Sequence, residues 1–193
     1  MLEFFEDSHT YKLDGRAVPS VTQAIQAILP MRPMDDYYLQ RGTAVHRACE
    51  LYDRGTLDEA SVDPEIAPRL EAWKKFRSDF GGEIAMNERR LASKKYQFAG
   101  TVDRVFAKGG KLILVDLKNG WYKQSILQIG GYGLLLAEDG RTPHRAGIVE
   151  LLECGAYHCR WMERADLRRA EQQFLALLSV FGFAAENKLL KEQ

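Results

Sequence analysis

The dipeptide Gly109-Gly110 constrains this chain more than any other feature, because it separates two strand-like stretches and leaves them one simple way to meet. Those stretches are Gly100-Thr-Val-Asp-Arg-Val-Phe-Ala-Lys108 and Lys111-Leu-Ile-Leu-Val-Asp-Leu-Lys118. Two glycines between strands are a favoured hairpin turn. With Lys108 facing Lys111, the antiparallel register carries Asp103 to a position directly opposite Asp116. Cross-strand neighbours on one face have Cβ atoms roughly 4.5–5.5 Å apart, so two like charges would sit in near contact. Either one carboxyl holds a proton or a divalent cation lies between them.

Strand side chains alternate with period two, so Lys118 points to the same side as Asp116 and joins the pair. Hard oxygen ligands suit magnesium or manganese. An ammonium beside them can stabilise charge developing on a phosphate, or position an attacking water. Metal-assisted phosphodiester hydrolysis is the chemistry that such a patch suits; a solvated strand with an ordinary ion pair is the plainer alternative. Context favours the first. Val102, Phe106, Ile113, Val115 and Leu117 fall on one side of the hairpin and Val105, Ala107, Leu112 and Leu114 on the other. Both faces are therefore expected to be covered, as in a central strand pair. Charges at the end of a buried hairpin need compensation.

A chain of 193 residues, 46% hydrophobic, is enough for one domain with a real core, and a single domain over 1–193 is expected. No apolar run reaches the ~18 residues of a membrane span, and Met-Leu-Glu-Phe-Phe-Glu-Asp lacks the pattern of a signal peptide, so a soluble, cytoplasmic protein without a membrane partner is expected. Cys49, Cys154 and Cys159 match no common zinc spacing and imply no disulfide framework. Basic and acidic residues balance at 27 each, which argues against a protein that coats nucleic acid. Charge is nevertheless uneven: Arg89, Arg90, Lys94, Lys95, Arg104, Lys108, Lys111, Lys118 and Lys123 crowd the segment with the aspartates, consistent with a local phosphate-binding surface.

In chain order, Thr10–Val18 reads as a hairpin around Asp14-Gly15, and Ser20-Val-Thr-Gln23 is a capping box opening a helix to about Leu29. Pro30 and Pro33 break it, Asp35 or Asp36 caps the next helix to about Asp53, and a third spans Pro64 to Phe80. Strands follow at about 83–92, 96–107 and 111–118, a helix from Lys123 to Glu138, strands near 144–152 and 156–161, and an amphipathic helix over about 163–187. Thus the N-terminal hairpin and helices occupy 1–80, a catalytic core 83–161, and a closing helix 163–187. His46 and Glu50 share a helix face, as do Gln128 and Tyr132. Gly130, Gly131 and Gly133 each cost about 0.5–1 kcal/mol in a helix and predict close backbone approach.

Four pieces in this order resemble the PD-(D/E)XK nuclease superfamily, in its RecB-like and phage-type exonuclease branch: His46, Gly100-Thr-Val-Asp103, Val115-Asp-Leu-Lys118 and Gln128-Ile-Gly-Gly-Tyr132. The opening Ser8-His-Thr-Tyr-Lys-Leu-Asp-Gly15, with Val18-Pro-Ser-Val-Thr22, is similar to the N-terminal region of phage and mitochondrial genome maintenance exonucleases. The resemblance implies an α/β (α+β), restriction-endonuclease-like αβββαβ core, with a central mixed sheet flanked by helices. It implies that His46, Asp103 and Asp116 ligate Mg2+ or Mn2+, with the carbonyl of Leu117 completing the shell. By the same resemblance Lys118 orients the water, and Gln128 and Tyr132 serve the active site and DNA placement. Glu88, on the neighbouring strand, is a further acidic candidate. CRISPR-associated relatives hold an iron–sulfur cluster through four cysteines; this chain has three, so no cluster is expected. The implied partner is DNA, single-stranded or as an end-containing duplex, with unwinding left to a helicase and further partners such as a recombinase or single-strand-binding protein. The implied activity is a metal-dependent DNA exonuclease in recombination, repair or replication. The rival is a non-cleaving DNA-end-binding or assembly module on the same fold.

Overall fold

The structure is a computed structural model that describes residues 1–6, 8, 10–30 and 35–190; Pro33 and His9, used in the sequence reading, lie outside these. A three-stranded antiparallel sheet opens the chain: β1 (Leu2–Phe5), β2 (Thr10–Leu13) and β3 (Arg16–Val18). The hairpin of β2 and β3 is as expected, but β1 is an addition, since four residues have too little pattern to read without their partner strand. Helix α1 (Val21–Ile28) begins at the anticipated capping box, with Gln23 N–H donating to Ser20 Oγ and Ser20 N–H to Gln23 Oε1. Helix α2 (Asp36–Asp53) is capped by Asp35, whose side chain accepts from Tyr37 N–H at 2.9 Å. After a short 3₁₀ turn at Glu59–Ser61 comes α3 (Ala67–Phe80), which starts three residues later than Pro64 predicts and stops at the left-handed Gly81.

Strands β4 (Glu83–Ser93), β5 (Phe98–Lys108) and β6 (Lys111–Lys118) form an antiparallel meander. Helix α4 (Ser125–Glu138) then crosses to β7 (Arg145–Leu151), which lies parallel to β6, and β8 (Tyr157–Glu163) returns antiparallel before α5 (Arg164–Glu186). The spatial order is β4-β5-β6-β7-β8, a mixed sheet. The run α3-β4-β5-β6-α4-β7 is the expected αβββαβ core. Gly109 and Gly110 both have positive φ, +57° and +71°, the backbone that a two-residue type I′ turn demands.

Both sheet faces are covered. On one, Val105, Leu114, Ala146 and Ile148 meet Val21 of α1, Ile129 and Leu135 of α4, and Leu167 and Phe174 of α5. On the other, Phe106, Ile113, Val115 and Leu117 meet Val45 and Cys49 of α2 and Trp73 and Phe76 of α3. Val102 departs from its expected face and joins the α4 side, where β5 has already run past its last pair with β6. The three helix glycines are explained by close neighbours, α5 at Gly130 and Gly133 and chiefly Val21 of α1 at Gly131. A Cβ on Gly130 would stand 2.3 Å from the carbonyl oxygen of Ala170, so α4 and α5 touch backbone to backbone. Among the described residues no helix is long and apolar enough to cross a membrane.

Candidate active site

The hairpin register runs from Lys108↔Lys111 to Arg104↔Val115, as the turn dictates, and ends one pair short of the two aspartates. Asp103 and Asp116 are therefore not a regular cross-strand pair. The strands part there, and Asp103 Oδ2 instead accepts the Leu117 N–H at 2.9 Å. A side-chain acceptor replaces the missing ladder partner, which ties Asp103 to β6. Asp116 is fully buried and makes an ion pair with Lys118, Nζ to Oδ2 2.6 Å, yet neither of its oxygens has a well-directed hydrogen bond. The Lys118 ammonium also reaches the Leu117 carbonyl at 3.2 Å.

His46 projects from α2 with Nδ1 3.7 Å from Asp103 Oδ2, and its ring keeps 30% of its surface open. The third member of the group is Glu88. Its flanking residues pair as Asn87↔Arg104 and Arg89↔Val102, but Glu88 itself has φ +48°, left-handed backbone inside a strand. For a residue other than glycine this costs on the order of 1–3 kcal/mol and persists only where neighbours enforce it. The enforcing neighbour is Arg104, whose Nη1 donates to Glu88 Oε1 at 2.8 Å and to the Asp103 carbonyl at 2.7 Å. As a result His46, Glu88 and Asp103 each place one ligand atom within 4.8 Å of the others. Asp116 stands beside this trio rather than in it.

Behind the carboxylates lies a network that the sequence reading did not identify. Arg104 is fully buried, its Nε 2.6 Å from Oδ2 of the equally buried Asp53. Asp53 also takes an ion pair from Arg77 and the indole N–H of Trp73 at 3.1 Å, while the Arg104 guanidinium lies over the Trp73 ring. A signal for this was present: Arg104 alternates with Asp103 on a strand covered on both sides, so its charge had to meet a buried anion. The partner Asp53 ends α2, 51 positions earlier in the chain, and has no local signal of the pairing. Glu50, the expected companion of His46, is occupied by Arg47 and Arg54 at 2.7 and 2.6 Å.

Gln128 and Tyr132 do meet, Nε2 to Oη 2.8 Å, and Tyr132 is buried against the site. The supposed basic surface disperses. Lys94 pairs with Asp14, Lys108 caps the Phe80 carbonyl, Lys111 meets His144, and Arg104 is internal. Arg89, Arg90 and Lys118 are the members of that set that line the cleft. Sequence neighbours on strands alternate faces, and this scatters them.

Burial sets the electrostatics. It raises the Asp116 pKa above the usual carboxylate range, with Asp103 adding to it and Lys118 opposing; burial followed by Asp103 likewise raises Glu88. Burial lowers the His46 pKa against the pull of Asp103, which favours the neutral imidazole that a cation needs. Burial works against the Lys118 charge, but Asp116 and Asp103 outweigh it and its pKa rises. The site thus holds excess carboxylate, buried oxygens without hydrogen bonds, and a neutral imidazole. That donor set fits a divalent cation such as Mg2+ or Mn2+.

His46, Glu88 and Lys118 line a cleft of about 1440 Å³. Asp103 borders a second, smaller cavity of about 440 Å³ under α1, and Thr22 and Thr101 line both.

No family model and no curated protein sequence matches the chain. Solved structures do. A protein from Eubacterium rectale, provisionally described as an exonuclease, is similar with a TM-score of 0.59 at 9% identity, over 90% of this chain and 83% of that one. LHK-Exo, an alkaline exonuclease from Laribacter hongkongensis, solved in complex with dAMP, gives 0.46 at 14% identity over 88% of this chain and 90% of its own. This chain therefore has the fold of the Eubacterium rectale protein, a five-stranded mixed sheet flanked by helices.

Proposed function

We propose that the protein is a metal-dependent deoxyribonuclease of the PD-(D/E)XK type, RecB-like branch, that removes nucleotides from DNA ends in recombination, repair or replication. The observation that carries this reading is the convergence of His46, Glu88 and Asp103 beside the Asp116–Lys118 ion pair, with His46, Glu88 and Lys118 lining an open cleft. Similarity of fold to a protein provisionally described as an exonuclease supports it further.

His46, Glu88, Asp103 and Asp116 would hold Mg2+ or Mn2+; the Leu117 carbonyl is already taken by Lys118 and is the weakest member of the expected shell. A divalent ion held there supplies Lewis-acid charge to the phosphodiester and lowers the pKa of water. Lys118, kept protonated by the aspartates, offsets charge developing on the phosphoryl oxygens and orients the attacking water. The Gln128–Tyr132 hydrogen bond holds the phenol in one orientation beside the aspartates, where it positions the strand.

The test is degradation of end-labelled linear DNA beside a closed circle, with EDTA, Mg2+ or Mn2+. Metal-dependent loss of the linear form, abolished by Asp116→Ala and by Lys118→Ala with the fold intact, is the expected result. Binding without cleavage under every condition would establish the assembly module instead, and cleavage at the wild-type rate by either variant would remove that residue from the mechanism.

A further inference from the structure

We propose that the large cleft over the carboxylates is a channel for single-stranded DNA, with Tyr38 and Tyr122 as stacking platforms for bases and Arg89 as a phosphate contact; this rests on the nuclease reading above. Three observations converge on it.

The first is depth. Asp116 has no exposed surface, Asp103 keeps 6%, and the Lys118 side chain keeps 15%. A phosphodiester that reacts here has to descend among these groups. Duplex phosphates are carried on the outside of a stiff base-paired stack, whereas a single strand can send one backbone segment down while its bases turn outward.

The second is a pair of exposed aromatic side chains that line the same cleft. Tyr38, on the first turn of α2, is 51% exposed; Tyr122, in the loop after β6, is 39% exposed. Every base offers such an exposed ring a flat partner. Tyr38 is also pre-oriented. The edge of Tyr37 meets it at 5.4 Å between centroids, Tyr37 is itself tied to Glu65, and the Arg41 guanidinium lies 5.1 Å from the Tyr38 ring centre. A base would meet a ring already fixed in place, at little cost in side-chain entropy.

The third is charge. The protein has no net charge, yet the cleft is lined by six arginine or lysine side chains against three glutamates. Arg89 lies on the outermost strand of the sheet and has no ion-pair partner among the described residues, so its guanidinium is available to a backbone phosphate.

Binding is measured by fluorescence anisotropy in EDTA, which separates it from cleavage, using a labelled oligothymidylate, a blunt hairpin duplex and an oligouridylate. The single DNA strand should bind about ten-fold or more tightly than the duplex. Tyr38→Ala and Tyr122→Ala should each weaken it about ten-fold, while Tyr38→Trp and Tyr122→Trp retain it, and Arg89→Ala should reduce the slope of log affinity against log salt by about one. Equal or tighter binding of the duplex, unchanged affinity in both alanine variants, or tighter binding of the oligouridylate would overturn the proposal. Failure of the nuclease reading looks different: no metal-dependent cleavage, with tyrosine-dependent strand binding intact.

Discussion

Replacing Asp53 by asparagine keeps the shape of the side chain and an acceptor for the Trp73 N–H, but removes the charge that faces Arg104. The fully buried guanidinium of Arg104 is then left with Glu88 as its carboxylate partner, and Arg77 loses its own. Burial already works against the Arg104 charge, and Asp53 is the foremost group that outweighs it. Breaking one side of a buried ion pair costs about 3–5 kcal/mol, and the near-isosteric change leaves no cavity, so the lower end, about 3 kcal/mol, applies to Asp53→Asn. For a chain of this length 1 kcal/mol moves Tm by about 2–4 °C, so the drop should be about 6–12 °C. Urea denaturation and a thermal melt read the loss directly. A second readout tests the link to the site: with Asp53 neutral, Arg104 pairs more strongly with Glu88, and stabilisation by Mn2+ should shrink. Converting Arg104 to methionine in the Asp53→Asn background should recover part of the stability, because the buried charge that has lost its main partner goes with it. A loss below about 1 kcal/mol in the single variant, or no recovery in the double, would show that the network does not hold the site together.

Two further outcomes follow from the same geometry. Asp116 and Glu88 have pKa values raised in the fold, so their neutral forms favour folding; this contribution is complete below the unfolded carboxylate pKa of about 4 and is lost as pH rises through the raised folded values. A cation prefers the ionised forms, so the rise in Tm caused by Mn2+ should grow between about pH 5.5 and 8; a rise that is flat or shrinks over that range would place the metal elsewhere. Gly130→Ala gains about 1 kcal/mol of helix propensity but drives a methyl group into the Ala170 carbonyl, so overpacking should prevail with a net loss of about 1–2 kcal/mol in urea. A stabilised variant would show that α4 and α5 separate without cost.

Much of the core was legible because it is local. Two glycines set the turn, the turn set the register of β5 and β6, and alternation showed that both faces would be covered. The αβββαβ order followed from periodicity and caps. What was hidden depends on partners distant in the sequence. Register placed Asp103 opposite Asp116, but the Leu117 amide captures the Asp103 carboxylate where the strands part. Glu88 was noticed as an acid on the next strand, while its left-handed backbone, enforced by a buried arginine, has no local signature. The basic run was misleading for a related reason: spacing along a strand says which face a charge takes, and not whether an acid from α2 or a carbonyl from α3 awaits it there.

The irregularities of β4 also bear on how the protein behaves among its own copies. This strand is one edge of the five-stranded sheet, and an edge of eleven residues offers a row of backbone groups on which another chain could add. Its register slips between Ile84 and Met86, its backbone reverses hand at Glu88, and Arg89 and Arg90 follow at once. A foreign strand would lose alignment twice and then meet two positive charges. The distortion that aims Glu88 at its neighbours thus guards the sheet against edge-to-edge aggregation.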